Sequence, residues 1–502
     1  MIIILTLKCN FEIESSPLKA FLFIALFFTV LISFGQALIS DELRQEKPFY
    51  LHDMLASDDM SSDLAQLKNT ILRTHPSPFY NCSDSLFNAA YNQAIHLVAK
   101  SKTVLEFAQI INGFTRVLED SHTALSPREL LRLGSKKRKI SPFHLKEISE
   151  KFYLTKILDN AIPLGAEVLA VNKQSVNELY ILTETLAPSE DPAKSARKEL
   201  IEIMMGLVFN LFNESTAHQV EMTYVHFGDT LTRIIPSIKV SQYFRRNSWD
   251  EKNDLEFRIS DSLAYLGLKS FESRRERKYK RGINSFFKKV ERKGISHVVI
   301  DVRGNRGGYV LLLEHVLSYI NAQEKTFDLN YLYKRSKLDR FETLSRLKKI
   351  DFVKKAIRVY PQGMISKEYD FYKSPMGSMS AILYQKQLRN PFDLTYTGKC
   401  TLITDGLSMS ASVLFASWFK DHNRGQLFGT PCFGSMQGTH GNTARIVLEN
   451  SGIPITISTL KLSAIEQELI EILPDQKIQC DVEDLIWGRD PFTELLKDLK
   501  ND

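Results

Sequence analysis

The feature that most constrains this chain is the run His297-Val298-Val299-Ile300-Asp301-Val302. An unbroken apolar strand needs cover on both faces, which is the condition of a parallel strand inside an α/β sheet. The run leads into Arg303-Gly304-Asn305-Arg306-Gly307-Gly308 and then a helical pattern over about 309–320. A second unit repeats the design, with a strand at 400–404, the turn Asp405-Gly406-Leu407 and a helix at about 410–420. Two strands at 254–259 and 263–270 and a basic helix precede the pair. This order predicts an α/β core whose chemistry sits in the strand-to-helix loops.

Composition narrows the class. With 502 residues, 43% hydrophobic and 25% charged, the chain is neither disordered, collagen-like nor a disulfide miniprotein, and about three domains are expected. Lys19 precedes the apolar run Ala20 to Phe34, and Gly35-Gln36-Ala37 follows. A positive start, a short apolar core and small residues before a cut describe a secretory signal over 1–37. The run is short for a spanning helix, which needs about 20 apolar residues. The expected product is an exported protein, periplasmic or extracellular, associated with a membrane only while that signal is uncut. Outside the signal stand Cys82, Cys400, Cys432 and Cys480, without a CxxC or zinc spacing. One or two disulfides or buried thiols are both compatible with them.

The net charge of +6 is concentrated, since ten Lys/Arg face two Glu between Arg274 and Lys293. Ile283, Phe286, Phe287 and Val290 recur there at helical spacing, so the run reads as the solvated face of a buried helix. No groove-reading motif accompanies it, and no nucleic-acid partner is expected.

Toward the N-terminus, Leu64, Leu67, Ile71 and Leu72 form a helical stripe stopped by His75-Pro76, and a second helix covers about 84–100. A third places Val104, Phe107, Ala108, Ile111, Thr115 and Leu118 on one face, with Thr103 and Glu106 as a capping box. It runs out into Glu119-Asp120-Ser121-His122-Thr123. Strands at 151–155, 167–171 and 219–224 and a helix at about 192–212 follow. Pro163-Leu164-Gly165 before Ala166 to Asn172 resembles the central turn and strand of a PDZ domain. The expected divisions are a helical domain at 38–130, a PDZ-like module with its connecting helix at 131–240, and a core at 241–502. A charged, partly helical insertion is expected within that core at about 331–395.

Chemistry concentrates at Ser408-Met409-Ser410-Ala411-Ser412, a strand-to-helix corner. A serine there is exposed on a sharp turn at the positive end of a helix, which suits a nucleophile whose attack builds negative charge. The plainer alternative is that Ser408 or Ser410 caps the helix. Gly307-Gly308 lets backbone N–H groups approach a ligand, as an oxyanion hole or a phosphate cradle. The phosphate reading lacks both G-x-G-x-x-G and G-K-[ST].

Asp301 to Gly308 resembles the D-L/V-R-x-N-x-G-G signature of the C-terminal processing peptidases. Leu407 to Ser412, followed by Gly425 and Gly429-Thr430-Pro431-Cys432-Phe433-Gly434, resembles that family's S-A-S turn and G-x-x-T-F-G segment. Leu473-Pro474-Asp475 and Asp484 to Pro491 resemble its C-terminal ending. The likeness covers about 255–495 and, with Asp63 to Leu125, most of the chain beyond the signal. Two departures choose a branch: Ser435 stands where Ser/Lys members carry their lysine, and Val413 replaces the glutamate after S-A-S. Asp120-Ser121-His122-Thr123 instead resembles the D-G-H-T element of the tricorn-like branch, which pairs serine with histidine and glutamate.

The resemblance implies a Clp-protease/crotonase-like ββα core within an α+β multidomain chain. It also implies an acyl-enzyme serine peptidase acting on protein or peptide, with no metal or organic cofactor. Carried over by position, Ser410 is the nucleophile, His122 the general base and Glu468 the orienting carboxylate. Ala411 with Gly307 or Gly308 supplies the oxyanion N–H groups. An imidazole of ordinary pKa near ~6.5 can take the serine proton at neutral pH. Among the rivals, His440 is an alternative base, and Asp120-x-His122 is half of a metal site with no HExxH or further histidine pair beside it. The missing lysine motivates a second class, an inactive peptide- or lipid-binding protein on the same scaffold. An esterase is a third.

Overall fold

The computed structural model describes residues 50–133, 139–213, 220–245, 254–260, 262–272, 276–322, 326–338, 371, 374–464, 468–493 and 495–496. The signal expected at 1–37 lies outside these residues, as does nearly all of the helix expected from Leu338 to Val353. Residues 47–338 and 374–502 form one compact unit, to which every element below belongs. Among the described residues no helix is long and apolar enough to cross a membrane.

Three helices open the fold: α1 (Ser57–Thr74), α2 (Asp84–Leu97) and α3 (Val104–Arg116). The α1 stripe is buried at Met60, Leu64, Leu67 and Ile71, and the helix ends where His75 turns extended. The capping box on α3 forms: Thr103 Oγ1 accepts from Glu106 N at 3.2 Å, while the Glu106 carboxylate accepts from Thr103 N at 2.7 Å. Asp63, fully buried on α1, accepts from Asn450 N, Asn450 Nδ2 and Ser451 N. That carboxylate fixes the helical layer to a turn near the far end of the chain.

A second layer is an antiparallel sheet running β1 (Phe143–Ile148), β2 (Lys151–Ile157), β3 (Glu167–Val171), β4 (Val220–His226) and β5 (Asp229–Ile235). Two helices, α4 (Val176–Glu184) and α5 (Lys194–Phe212), accompany it, and Met205 and Phe209 of α5 share a core with Phe143, Leu154 and Val168 of the sheet. Glu202 of α5 is buried, accepts from Glu147 N at 3.1 Å, and is pushed up to about 7 by that burial. A carboxyl raised in the fold is held there against ionisation. Its contribution is therefore complete below the ordinary value of about 4.3, shrinks as pH rises to about 7, and is flat above. Glu202→Gln, which keeps the acceptor, is expected to raise the unfolding midpoint at pH 8 and leave it unmoved at pH 4. An equal change at both would sink this account.

The core sheet runs β6 (Leu255–Ile259), β7 (Leu263–Leu268), β8 (His297–Asp301), β11 (Lys399–Thr404), β12 (Gln426–Gly429) and β17 (Gln476–Lys477). Only the β6–β7 pair is antiparallel; the rest are parallel, and every residue of β7 and β8 is buried. The doubly covered strand read from the sequence is thus central. Its helices are α6 (Glu276–Lys293), α7 (Val310–Ile320) and α8 (Ala411–Asp421). On α6, Tyr279, Ile283, Phe286, Phe287 and Val290 are buried, while Lys288, Lys289 and Arg292 are exposed, as the solvated-face reading required.

A four-stranded sheet joins β10 (Met379–Gln387), β9 (Thr326–Lys334), β16 (Leu460–Ala464) and β13 (Gly438–Gly441), and a hairpin pairs β14 (Ala444–Val447) with β15 (Pro454–Ile457). Here the structure corrects the expected insertion at 331–395. Both of its ends are strand, paired from Thr326↔Gln387 to Lys334↔Met379, so the interruption lies inside a core hairpin. Phe327, Leu329, Tyr331 and Tyr333 alternate inward with period two, a strand signal that the surrounding charge obscures. Cys82, Cys400, Cys432 and Cys480 are all free thiols.

Candidate active site

The first strand-to-helix corner is built on Asn305, which is fully buried. Its amide donates to Leu268 O at 2.9 Å and its side-chain oxygen accepts from Gly307 N at 2.9 Å. Asn305 O in turn accepts from Met409 N at 3.0 Å, which locks the two corners together. Gly307 and Gly308 have φ of +92° and +136°. A Cβ on Gly307 would lie 2.6 Å from Ser410 Cβ, and one on Gly308 would lie 2.3 Å from Phe271 C. Both glycines are therefore required by contact as well as by conformation.

The second corner separates its three serines by what their hydroxyls do. Ser408 is fully buried and donates to Val302 O at 2.9 Å. Ser412 is equally buried and donates to Asn305 O at 2.9 Å. Ser410, half-buried at the start of α8, makes no capping bond, and its φ of +55° and ψ of −114° place it in a strained conformation. Beside it, the N–H groups of Gly308 and Ala411 have no hydrogen-bond partner among the described residues, whereas that of Gly307 is spent on Asn305. Phe433 N donates to Ser408 O at 3.0 Å, so the F-G segment pins the turn from the other side. Ser435, in the position of the family lysine, is buried there.

Two carboxylates lie beneath this corner. Asp405 accepts from Gly304 N at 2.9 Å and Leu407 N at 3.0 Å, and Glu199 of α5 accepts from Gly406 N at 3.2 Å and Thr430 Oγ1 at 2.7 Å. Burial and the neighbouring Glu199 charge push Asp405 up to about 6. Arg303 anchors the glycine loop from outside, bonding Asp301 at 2.7 Å and Asp490 at 2.9 Å.

His122 follows α3 on a loop organised by Asp120, which is buried beyond solvent. Asp120 Oδ2 accepts from Thr123 Oγ1 at 2.6 Å and Ser458 Oγ at 2.7 Å and pairs with His75 Nε2 at 3.0 Å. Its Oδ1 accepts from His122 N at 2.9 Å and lies 3.7 Å from both His122 Nδ1 and His440 Nδ1. Burial opposes its charge, yet the His440, His122 and His75 imidazoles hold it well below the ordinary carboxylate range. His440 itself is forced down to about 3, chiefly by burial, with Nε2 against Ser77 Oγ at 3.1 Å. Glu190 enters from another loop, accepting from Ser121 N at 2.7 Å; burial and Asp120 push it up to about 7. His122 is partly exposed; burial works against its charge, but Asp120 and Glu190 raise it above the ordinary value.

Packing brings the two halves of the site together. Leu407 and Met409 lie against the core cluster that holds Leu118, Leu125 and Phe433. Ser121 and Leu125 from one loop, and Gly304, Arg306 and Leu407 from the other two, line a single cavity of about 1630 Å³. Among the described residues no hydrogen bond joins Ser410 to His122.

The family model for peptidase family S41 matches residues 262–478, which span β8, both glycine-rich and serine-bearing corners and the F-G segment. This region is an S41 peptidase core. That match supports a serine-type peptidase, with residues 262–478 similar to the core of peptidase family S41. Its fold is similar to mature CPAF complexed with lactacystin, at 14% identity and TM-score 0.61, over 88% of this chain and 98% of that one. Mature CPAF alone gives 14% identity and TM-score 0.61, over 88% and 96%. No curated protein matches by sequence.

Within the peptidase, the expected site residues do not all converge. Ser410, Ala411, Gly307 and Gly308 form one corner, and Ser121, next to His122 in the chain, lines the cavity that Gly304, Arg306 and Leu407 also line. Glu468 is exposed on the segment after β16, and its backbone O accepts from Ile470 N at 2.9 Å; no described contact brings its side chain to His122. Among the described residues, the carboxylates clustered with His122 are Asp120 and Glu190. Asp120 was visible in the sequence as part of the D-x-H element. Glu190, in Ser189-Glu190-Asp191-Pro192, carries no motif that marks it.

Proposed function

We propose that this chain is an exported endopeptidase of the tricorn-like Ser/His branch, cleaving peptide bonds through an acyl-enzyme on Ser410. The observation that carries this reading is the division of labour among three serines, two spent on backbone carbonyls and one left strained and uncommitted. His122 takes the Ser410 proton as the hydroxyl attacks, then returns it to the leaving amine. Asp120 is the positioning carboxylate in this account, in place of the Glu468 that the resemblance implied. The tetrahedral oxyanion is received by the N–H groups of Gly308 and Ala411, both without other partners. The gap between Ser410 and His122 closes when substrate is bound, as catalytic hydrogen bonds often tighten only in the Michaelis complex. The β1–β5 sheet acts as a PDZ-like module that holds the C-terminal end of the substrate, and the apolar run of 20–34 directs export.

A fluorophosphonate probe applied to residues 38–502, with the adduct located by peptide mass spectrometry, tests the assignment. Labelling of Ser410 that disappears in His122→Ala is expected. A folded, unlabelled protein would instead favour the non-catalytic binding protein on this scaffold, a reading that the unbonded Ser410–His122 pair keeps in play.

A further inference from the structure

Asp120, His122 and Glu190 each offer a ligand atom, and these atoms lie within 4.8 Å of one another. His122 Nδ1 is buried and has no hydrogen-bond partner, although Asp120 Oδ1 stands 3.7 Å away. That separation is too long for a hydrogen bond, which needs about 2.7–3.2 Å. It is close to the spacing of two ligands sharing one tetrahedral zinc ion: N and O donors at roughly 2.0–2.2 Å sit about 3.3–3.5 Å apart. Glu190 adds a third, buried donor, one of whose oxygens accepts from Ser121 N at 2.7 Å. A borderline imidazole with two carboxylates is a donor set that zinc accepts, with water as the fourth ligand.

We propose that Asp120, His122 and Glu190 form an inhibitory site for a divalent cation, zinc above all, that switches the peptidase off. The inhibition, though not the binding, rests on His122 being the base. The ion takes the Nδ1 lone pair; in the neutral ring the Nδ1 proton moves to Nε2, and in the imidazolium it leaves to solvent while Nε2 keeps its own. In the neutral, metal-bound ring the remaining proton sits on Nε2, which then has no lone pair to accept the Ser410 proton. Withdrawal of the ion restores the tautomer in which Nδ1–H faces Asp120 and Nε2 is free.

The test uses the full chain after its signal, with Zn2+ in calorimetry and Co2+ in visible absorption, so that binding is read without activity. One equivalent is expected to bind in wild type and in Ser410→Ala. Affinity should fall in His122→Ala and in Glu190→Gln by at least the roughly 10–100-fold that losing even an outer-shell partner costs. Zinc should inhibit peptide cleavage with a midpoint equal to the calorimetric Kd, and a chelator should restore it. No binding, or affinity unchanged in both variants while circular dichroism shows them folded, would overturn the site. Binding that follows the variants in a protein without peptidase activity would keep the site and defeat its role as an off-switch.

Discussion

Ser410→Ala is expected to reduce peptide turnover by about 10⁴–10⁶-fold while leaving the fold and substrate affinity in place. The expectation follows from what the hydroxyl does not do. Unlike Ser408 and Ser412, it supports no backbone carbonyl, so removing it costs no structural hydrogen bond. His122→Ala should fall by a similar factor, and the double variant little further, because nucleophile and base act as one unit. What remains should be the contribution of the Gly308 and Ala411 N–H groups, each worth about 10²–10³-fold. Measured kcat and KM for the three variants decide it. Multiplicative losses, or a Ser410→Ala protein that keeps a tenth of its rate, would remove Ser410 from the mechanism.

Asp120 has the second largest effect, and on two observables. Asp120→Ala leaves His75 without its 3.0 Å partner and strands the hydroxyls of Thr123 and Ser458 in a buried space. Breaking a buried charged pair from one side typically costs about 3–5 kcal/mol, which urea unfolding would read directly. Asp120→Asn tests the catalytic half. An amide keeps the shape and one acceptor but cannot favour Nδ1–H on His122, and loss of that tautomer in a comparable triad costs about 10⁴ in kcat. A stable Asp120→Asn protein with nearly normal kcat would show that another carboxylate positions the base. Glu468 would then return to consideration.

The contrast between these residues shows what sequence can carry. The stripe of α1, the capping box of α3 and both strand-to-helix corners were legible because each depends on neighbours a few positions away. From its own segment Ser410 reads only as a cap or a nucleophile, and the resemblance alone chose the nucleophile. The physical ground for separating the serines, Val302 O and Asn305 O engaging the other two, lies outside that segment. The Asp120 hub was half legible. Its D-x-H spacing is local, but His75, His440 and Ser458 arrive from three distant segments that share no pattern. Glu468 was placed by counting back from Pro474-Asp475 through a stretch that departs from the family, so no physical constraint fixed the register. In β9 the alternation of Phe327, Leu329, Tyr331 and Tyr333 was present, but a charge-rich interruption follows it and drew the boundary too early.

The backbone at Ser410 has a consequence for how such a site is kept. A non-glycine residue at φ +55° and ψ −114° costs on the order of 1–3 kcal/mol, which the surrounding fold must offset. Glycine would accept that geometry more cheaply, so a population of variants screened for thermal tolerance alone would drift toward losing the hydroxyl. On the proposed mechanism, serine at this corner serves turnover and not stability, so heat resistance gained by relaxing position 410 would be gained at the expense of the reaction.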